Sequence, residues 1–359
     1  MRALVPLVAA LFTVLSLAPA LAAPKAEPTV AALADRWSDY KRRHLDPSGR
    51  LVDNANRGIS HSEGQGYGLV LAAFLNDRPA FDAIRAFARA HLAVEGSRLS
   101  AWRYDPAADP PVGDPNNATD GDLLMAWGLA LGADKWSDAS LRDEARAIAR
   151  AIWEEATIET RFGRVLLPGR MGFTAKDRPD GPIVNLSYWV FPALRALQPL
   201  TPDLDWRGVE DSGRALLQAA RFGPRHLPTD WLSLSGDSPQ PASGFKPVFG
   251  YESIRIPLYL ALLPDAIAFD LAPLDGYLSL AETAGPSVVD VATGTAGEPL
   301  GGNGYRLVIG LARCIAPGDP AGGEAASSAA TSVSDDLYYP ATLGLLALIG
   351  HSEGNGACL

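Results

Sequence analysis

Histidine, cysteine and methionine are all scarce in this 359-residue chain, at five, two and three copies. The histidines, His44, His61, His91, His226 and His351, are scattered and never take a metal-ligand spacing such as H-E-x-x-H. The sequence also lacks a P-loop and a Rossmann glycine fingerprint, so no metal and no nucleotide cofactor is expected. Two cysteines do not make a disulfide-dependent scaffold. Whether Cys314 and Cys358 pair stays open, because Cys314 in YRLVIGLARCIA suits a buried thiol equally well. Basic residues are in deficit, 31 Lys and Arg against 41 Asp and Glu. The resulting net charge of −10 argues against nucleic acid and anionic membranes as main partners, since both need a basic face. Neutral ligands such as sugars remain permitted.

What is present begins with MRALVPLVAALFTVLSLAPALAAP. Arg2 precedes a short apolar run, and Ala20-Leu21-Ala22 supplies small residues at cleavage positions, so residues 1–22 read as a signal peptide. Export to the periplasm or medium is the expectation. Beyond it no apolar run approaches the roughly 18 residues that insertion into a membrane needs. Residues 23–359 read as a single domain.

Helical periodicity dominates that domain, over about 28–45, 64–75, 79–92, 121–132, 138–157, 187–197, 206–221, 252–264, 274–284, 303–314 and 337–349. Strand-like alternation is scarce. Segments such as YGLVLAAFL, DLLMAWGLALG and SIRIPLYLALL are apolar nearly all round and should be buried on more than one side. Others, such as LRDEARAIARAIWEEA, carry charge on one face and suit an outer layer. Alternation of the two kinds predicts an all-α fold, two concentric shells of helices forming an α/α barrel. The low-complexity stretch near 317–336 reads as a flexible loop, and the C-terminus as a frayed tail.

The tetrapeptide HSEG occurs at His61 and again at His351. The second copy gives G-x-S-x-G at Gly350–Gly354, the pattern of a nucleophile elbow. An elbow needs a strand before the serine and a histidine later in the chain. Here a helix-like run precedes it and no histidine follows, so Gly350 reads as a helix C-terminal glycine. In the first copy Ser62 and Gln65 have capping-box spacing, which places Glu63 in the first turn of a buried helix. Glycines 64, 66 and 68 weaken that helix but would let a bulky ligand approach its backbone. In NNATDGDLL, Thr119 or Asp120 would cap the next buried helix, with Asp122 in its first turn. Glu252 opens a third. Capping and dipole effects could explain each acid alone. In a helical barrel, however, inner-helix N-termini gather at one end, so Glu63, Asp120 and Glu252 can converge on one cleft. Converging carboxylates suit glycoside hydrolysis, one acid protonating the leaving oxygen and another activating water. Trp102, Tyr104, Tyr188, Trp189, Trp231 and Tyr251 lie in or beside Gly/Pro-rich connections, where flat rings can stack on sugars or pack the rim.

These residues resemble glycoside hydrolase family 8, most closely its periplasmic endoglucanases encoded beside bacterial cellulose synthases. The likeness runs through SEGQGYG (62–68), SAWRYDP (100–106), NNATDGDLLMAW (116–127), LLPGRMGF (166–173), NLSYWVFPAL (185–194), LPTDWL (227–232), YESIRIPLY (251–259), VVDVATG (288–294) and YYPATLGLLAL (338–348). The resemblance implies an (α/α)6 barrel with an open cleft that hydrolyses β-1,4-glucan with inversion. It implies β-1,4-glucan chains and the cellulose synthase export complex as partners. By position, Glu63 matches the general acid and Asp120 the aspartate that contacts the sugar at the cleavage point. Tyr188 and Arg255 match positions near the cleft. One departure stands out: the family's Y-D-A-x-R, whose aspartate is the general base, reads Tyr251-Glu252-Ser253-Ile254-Arg255 here. Glutamate keeps the carboxylate on an arm one methylene longer. The rival expectation is therefore a cellulose-binding accessory with little turnover; a further alternative is a family member acting on xylan, lichenan or chitosan.

Overall fold

The computed structural model describes residues 30–315 and 336–354. Each helix expected from periodicity is present: α1 (Val30–His44), α2 (Ser62–Phe74), α3 (Arg78–His91), α4 (Thr119–Trp136), α5 (Ala139–Glu155), α6 (Phe191–Leu197), α7 (Trp206–Ala219), α8 (Arg255–Ala261), α9 (Asp275–Ala284), α10 (Asn303–Ile315) and α11 (Tyr338–Gly354). The six apolar helices α2, α4, α6, α8, α10 and α11 touch one another in that order, and α11 returns to α2, closing a ring. The others pack outside: α1 on α11, α3 on α2, α5 on α4, α7 on α6 and α9 on α10. The expected signal peptide and all but the last residue of the expected flexible loop fall outside the described residues.

Sequence separates the two shells clearly. On α3 the buried residues Ala80, Phe81, Ile84, Phe87 and Ala88 form one stripe, while on α4 almost every residue from Thr119 to Ala133 is buried. The outer helices α3, α5 and α7 are capped by Asp77, Asp138 and Asp205, each accepting from a backbone N–H in the first turn. The inner helices α2, α4 and α8 have no side-chain cap. The expected capping box at Ser62 therefore does not form. Helix α2 starts at Ser62 itself, and the Gln65 amide turns away to bond the backbone of Leu51. Nor do Thr119 and Asp120 cap α4: the Thr119 hydroxyl donates to the Leu167 carbonyl, and Ala118 holds the cap position. The polar groups at the inner-helix N-termini are thus released from capping.

The glycines of α2 serve helix packing rather than ligand approach. A Cβ on Gly66 would lie 2.5 Å from Leu124 Cβ and 2.9 Å from Met125 N on α4. In return, Gly128 of α4 admits Leu69 Cβ at 2.6 Å and Val70 N at 2.9 Å. The two helices are in backbone contact, closer than side chains allow. Gly350 is another correction: α11 continues through it to Gly354, and it leaves room for Leu262, whose Cδ2 would be 2.4 Å from a Cβ there. The second HSEG is therefore helical and has no strand before its serine. The C-terminal tail beyond Gly354 lies outside the described residues.

Short antiparallel ribbons, absent from the sequence expectation, decorate the barrel ends. They pair Ser60–His61 with Arg103–Tyr104, Thr157–Thr160 with Gly163–Leu166, and Val248–Phe249 with Ser287–Asp290. Segments of two to four residues are too short for alternation to show in a sequence. Cys314 is disulfide-bonded, and the chain's other cysteine, Cys358, lies outside the described residues. Among the described residues no helix is long and apolar enough to cross a membrane.

Candidate active site

Glu63 and Asp120 sit in the first turns of α2 and α4, and Glu252 in the turn that precedes α8. Arg255, the first residue of α8, joins all three: its Nη1 donates to Glu63 Oε1 and to Asp120 Oδ2 (2.6 Å), and its Nη2 to Glu252 Oε2. The guanidinium is almost wholly buried, with 3% of its side chain exposed. Burying a cation this deeply is tolerable only with charged partners on its donors. Three potential negative charges around one positive charge leave the cluster short of cations.

That imbalance and the burial appear in the titration behaviour. Burial raises the pKa of Glu63 to about 8; Arg255 opposes this, while Asp120 and Glu252 add to it. Burial likewise raises the Asp120 pKa against the pull of Arg255. Burial and the negative neighbours thus outweigh the helix N-terminus, which by itself favours the ionised form. Beneath Glu63, one turn along α2, the Tyr67 hydroxyl reaches Oε1 at 3.4 Å and pairs with the Tyr259 hydroxyl at 2.5 Å. No donor among the described residues reaches Glu63 Oε2.

Glu252 is held differently. Among the described residues its side-chain bonds go to Oε2, from Arg255 and from Asn185 Nδ2 (3.3 Å), with the Ser187 hydroxyl oxygen 3.4 Å away. Asn185 and Ser187 are themselves locked, because Asn185 Oδ1 accepts from Ser187 N and Oγ while Ser187 Oγ accepts from Arg255 Nη2 at 2.7 Å. No donor among the described residues reaches Oε1. A third of the Glu252 side chain is exposed. Asp120, by contrast, has both oxygens engaged, Oδ1 by Gly121 N at 2.8 Å and Oδ2 by Arg255.

The three acids line one cleft of about 790 Å³, together with His61, Trp102, Tyr188, Tyr251, Arg255, Glu298, Tyr305 and Tyr339. Of the aromatic residues expected there, Trp102, Tyr188 and Tyr251 line it. Tyr188 carries Arg255 at 5.6 Å from its ring centre, and Tyr251 is 43% exposed. Tyr104 and Trp231 do not line this cleft. Tyr104 packs edge-on against Phe87 and His91, and one face of Trp231 is stacked on Phe245 at 4.5 Å. Trp189, also flagged by the sequence, is fully buried and donates to the Val209 carbonyl. Sequence reasoning missed His61 as a wall residue; its ring lies parallel to Trp102, and burial lowers its pKa. It also missed Asn185 and Ser187. Arg255 was expected near the cleft from its match to the family position, but its bridging of three acids was not.

A ring of apolar helices inside a shell of amphipathic ones, with paired carboxylates at the inner N-termini, is the architecture of a helical-barrel glycoside hydrolase. Residues 8–351 match the family model of glycosyl hydrolases family 8, and the chain belongs to that family. It is 36% identical over 334 residues to a Novacetimonas hansenii protein named "Probable endoglucanase", spanning 91% of this chain and 93% of the relative. Among solved structures it is similar to an endo-β-1,4-glucanase from Acetobacter xylinum, with 34% identity, a TM-score of 0.77 and coverage of 90% of this chain and 99% of that one. A family 8 endoglucanase from Klebsiella pneumoniae gives 32% identity and a TM-score of 0.77, covering 89% and 99%. The (α/α)6 barrel and glycoside hydrolase activity expected from the sequence therefore stand.

Proposed function

We propose that this glycoside hydrolase is an endo-β-1,4-glucanase that cleaves cellulose-type chains with inversion. The observation that carries the reading is the division of labour around Arg255. Glu63 has its pKa raised and Oε2 open to the cleft; Glu252 has one oxygen anchored by two donors, Arg255 and Asn185, and the other open. Glu63 donates its proton to the leaving glycosidic oxygen. Glu252 Oε1 takes a proton from the water that attacks the anomeric carbon, and solvent restores both groups. Asp120, with both oxygens engaged, is unsuited to covalent attack. It holds Arg255 and lends negative charge to the oxocarbenium-like transition state. Trp102 and Tyr251 offer rings on which successive glucose units can stack.

The longer arm of Glu252 is compatible with this role, because Asn185, Ser187 and Arg255 fix the carboxylate that the extra methylene would otherwise loosen. The relatives named endoglucanases support the choice of β-1,4-glucan. Export, and service beside a cellulose synthase, belong to the same reading; the apolar N-terminus and the sequence resemblance support them. Reducing-sugar release from carboxymethyl-cellulose tests it across wild type, Glu252→Asp and Glu252→Gln. Wild type should turn over the polymer, and Glu252→Gln should lose at least about a hundredfold. Equal, near-zero rates with binding retained would instead identify a cellulose-binding accessory. Turnover of xylan, lichenan or chitosan in preference to cellulose would overturn the substrate assignment.

A further inference from the structure

Among the described residues, the buried ionisable side chains outside this chemistry include His44, Asp122, Glu210, Asp230 and Asp336. Asp230 has the most specific geometry. Its Oδ1 accepts three hydrogen bonds, from Gly250 N at 2.9 Å, Ser253 N at 3.1 Å and Ser253 Oγ at 2.6 Å. These donors bracket Tyr251 and Glu252 on either side. Among the described residues no cation pairs with Asp230, and only 7% of it is exposed. A buried, unpaired carboxylate is costly, and three donors on one oxygen are what makes it tolerable.

Asp230 is in turn fixed to the strand that leads into the turn. Its backbone N–H donates to Val248 O at 2.7 Å, and the Thr229 hydroxyl reaches the same carbonyl at 3.1 Å. Val248–Phe249 pairs with Ser287–Asp290, which ties the assembly to a three-stranded sheet. Gly250 fits because it has no side chain; a Cβ there would come within 3.1 Å of Asp230 Oδ2. The backbone of residues 250–253 is therefore clamped at both ends by one oxygen atom. The Asn185–Ser187 pair holds only the tip of the Glu252 side chain.

We propose that Asp230 is a positioning residue for Glu252, holding the backbone turn from which the base reaches the attacking water. The proposal rests on the assignment of Glu252 as the base. Asp230 does not touch the reacting atoms; it acts by holding the turn against displacement. Because a shift of about 1 Å at a reacting group costs on the order of a hundredfold in rate, loss of the clamp acts on kcat rather than on affinity.

The test uses the full-length enzyme on carboxymethyl-cellulose, with kcat, KM and the pH profile measured for Asp230→Ala, Asp230→Asn, Ser253→Ala and Glu252→Gln. Asp230→Ala should lower kcat by about a hundredfold with KM within about threefold, leaving the alkaline limb of the profile in place. Asp230→Asn keeps an accepting oxygen and should recover most of the rate. Ser253→Ala removes one of the three donors, keeps the fold, and should give a smaller fall in kcat alone. The proposal is overturned if Asp230→Ala or Ser253→Ala keeps wild-type kcat, if KM takes the loss, or if Asp230→Asn is as impaired as Asp230→Ala. The Glu252→Gln control separates the two claims. Full activity there removes the base assignment, whereas an inactive Glu252→Gln beside a fully active Asp230→Ala removes only the clamp.

Discussion

At the scale of single residues, protonation state decides function. Glu63 can act as an acid only while it holds its proton, and burial keeps that proton on up to about pH 8. Activity should therefore fall as pH rises through about 8, because the deprotonated form cannot donate. Glu63→Gln should abolish that limb and lower kcat/KM by about 10²–10⁴-fold. An unimpaired variant, or an alkaline limb that survives in it, contradicts the assignment. Arg255 predicts a stability effect. Arg255→Met strips Asp120 and Glu252 of their shared cation, and leaving buried charge unpaired costs about 3–5 kcal/mol. Denaturant unfolding at neutral pH should show that loss. The deficit should shrink in acid, where the stranded carboxylates take up protons.

At the scale of elements, the contact between α2 and α4 places the two acids. Gly128→Ala would press a methyl group into Leu69 and the backbone of Val70, far along α4 from the cleft. Overpacking of this kind costs about 1–3 kcal/mol, so the melting temperature should fall while kcat changes little. Gly121 lies at the catalytic end, and a Cβ there would stand 2.7 Å from Glu63 N. Gly121→Ala should therefore lower stability and kcat together. Equal effects of the two variants on kcat would show that helix spacing does not set the position of Glu63. The helices themselves were legible because thirteen to eighteen residues of apolar pattern survive local noise, as in α2, α4 and α11. The capping of the inner helices was not. Ser62-x-x-Gln65 has the form of a capping box, yet the loop at Leu51 captures the glutamine. Local spacing cannot reveal a competitor that the fold brings in from elsewhere.

At the scale of the whole molecule, the same tertiary dependence separates what the sequence disclosed from what it hid. Three acids at three helix starts implied a cleft. Arg255 meets Asp120 across 135 positions and Ser187 across 68, Asn185 meets Glu252 across 67, and the Asp230 clamp spans 20 to 23, all beyond the reach of local spacing. The burial of acids also shapes stability. Asp122 and Glu63 are raised by burial to about 8, so their contributions are fully present below their unfolded pKa near 4 and lost as pH rises through about 8. His44, lowered by burial to about 4, has the opposite dependence, but its change is complete above its unfolded value of 6.5. Between pH 6.5 and 8 the acids act alone. The melting temperature should fall across that window, and Asp122→Asn should flatten the slope; a flat wild-type profile would contradict this account. The central claim is that two carboxylates flank the bond, with a water on the face opposite the leaving group. Proton NMR of a cello-oligosaccharide digest, followed from the first seconds, tests it most directly. The α-anomer should form first and then mutarotate, whereas initial release of the β-anomer would show retention and contradict the assignment of Glu252 as a base.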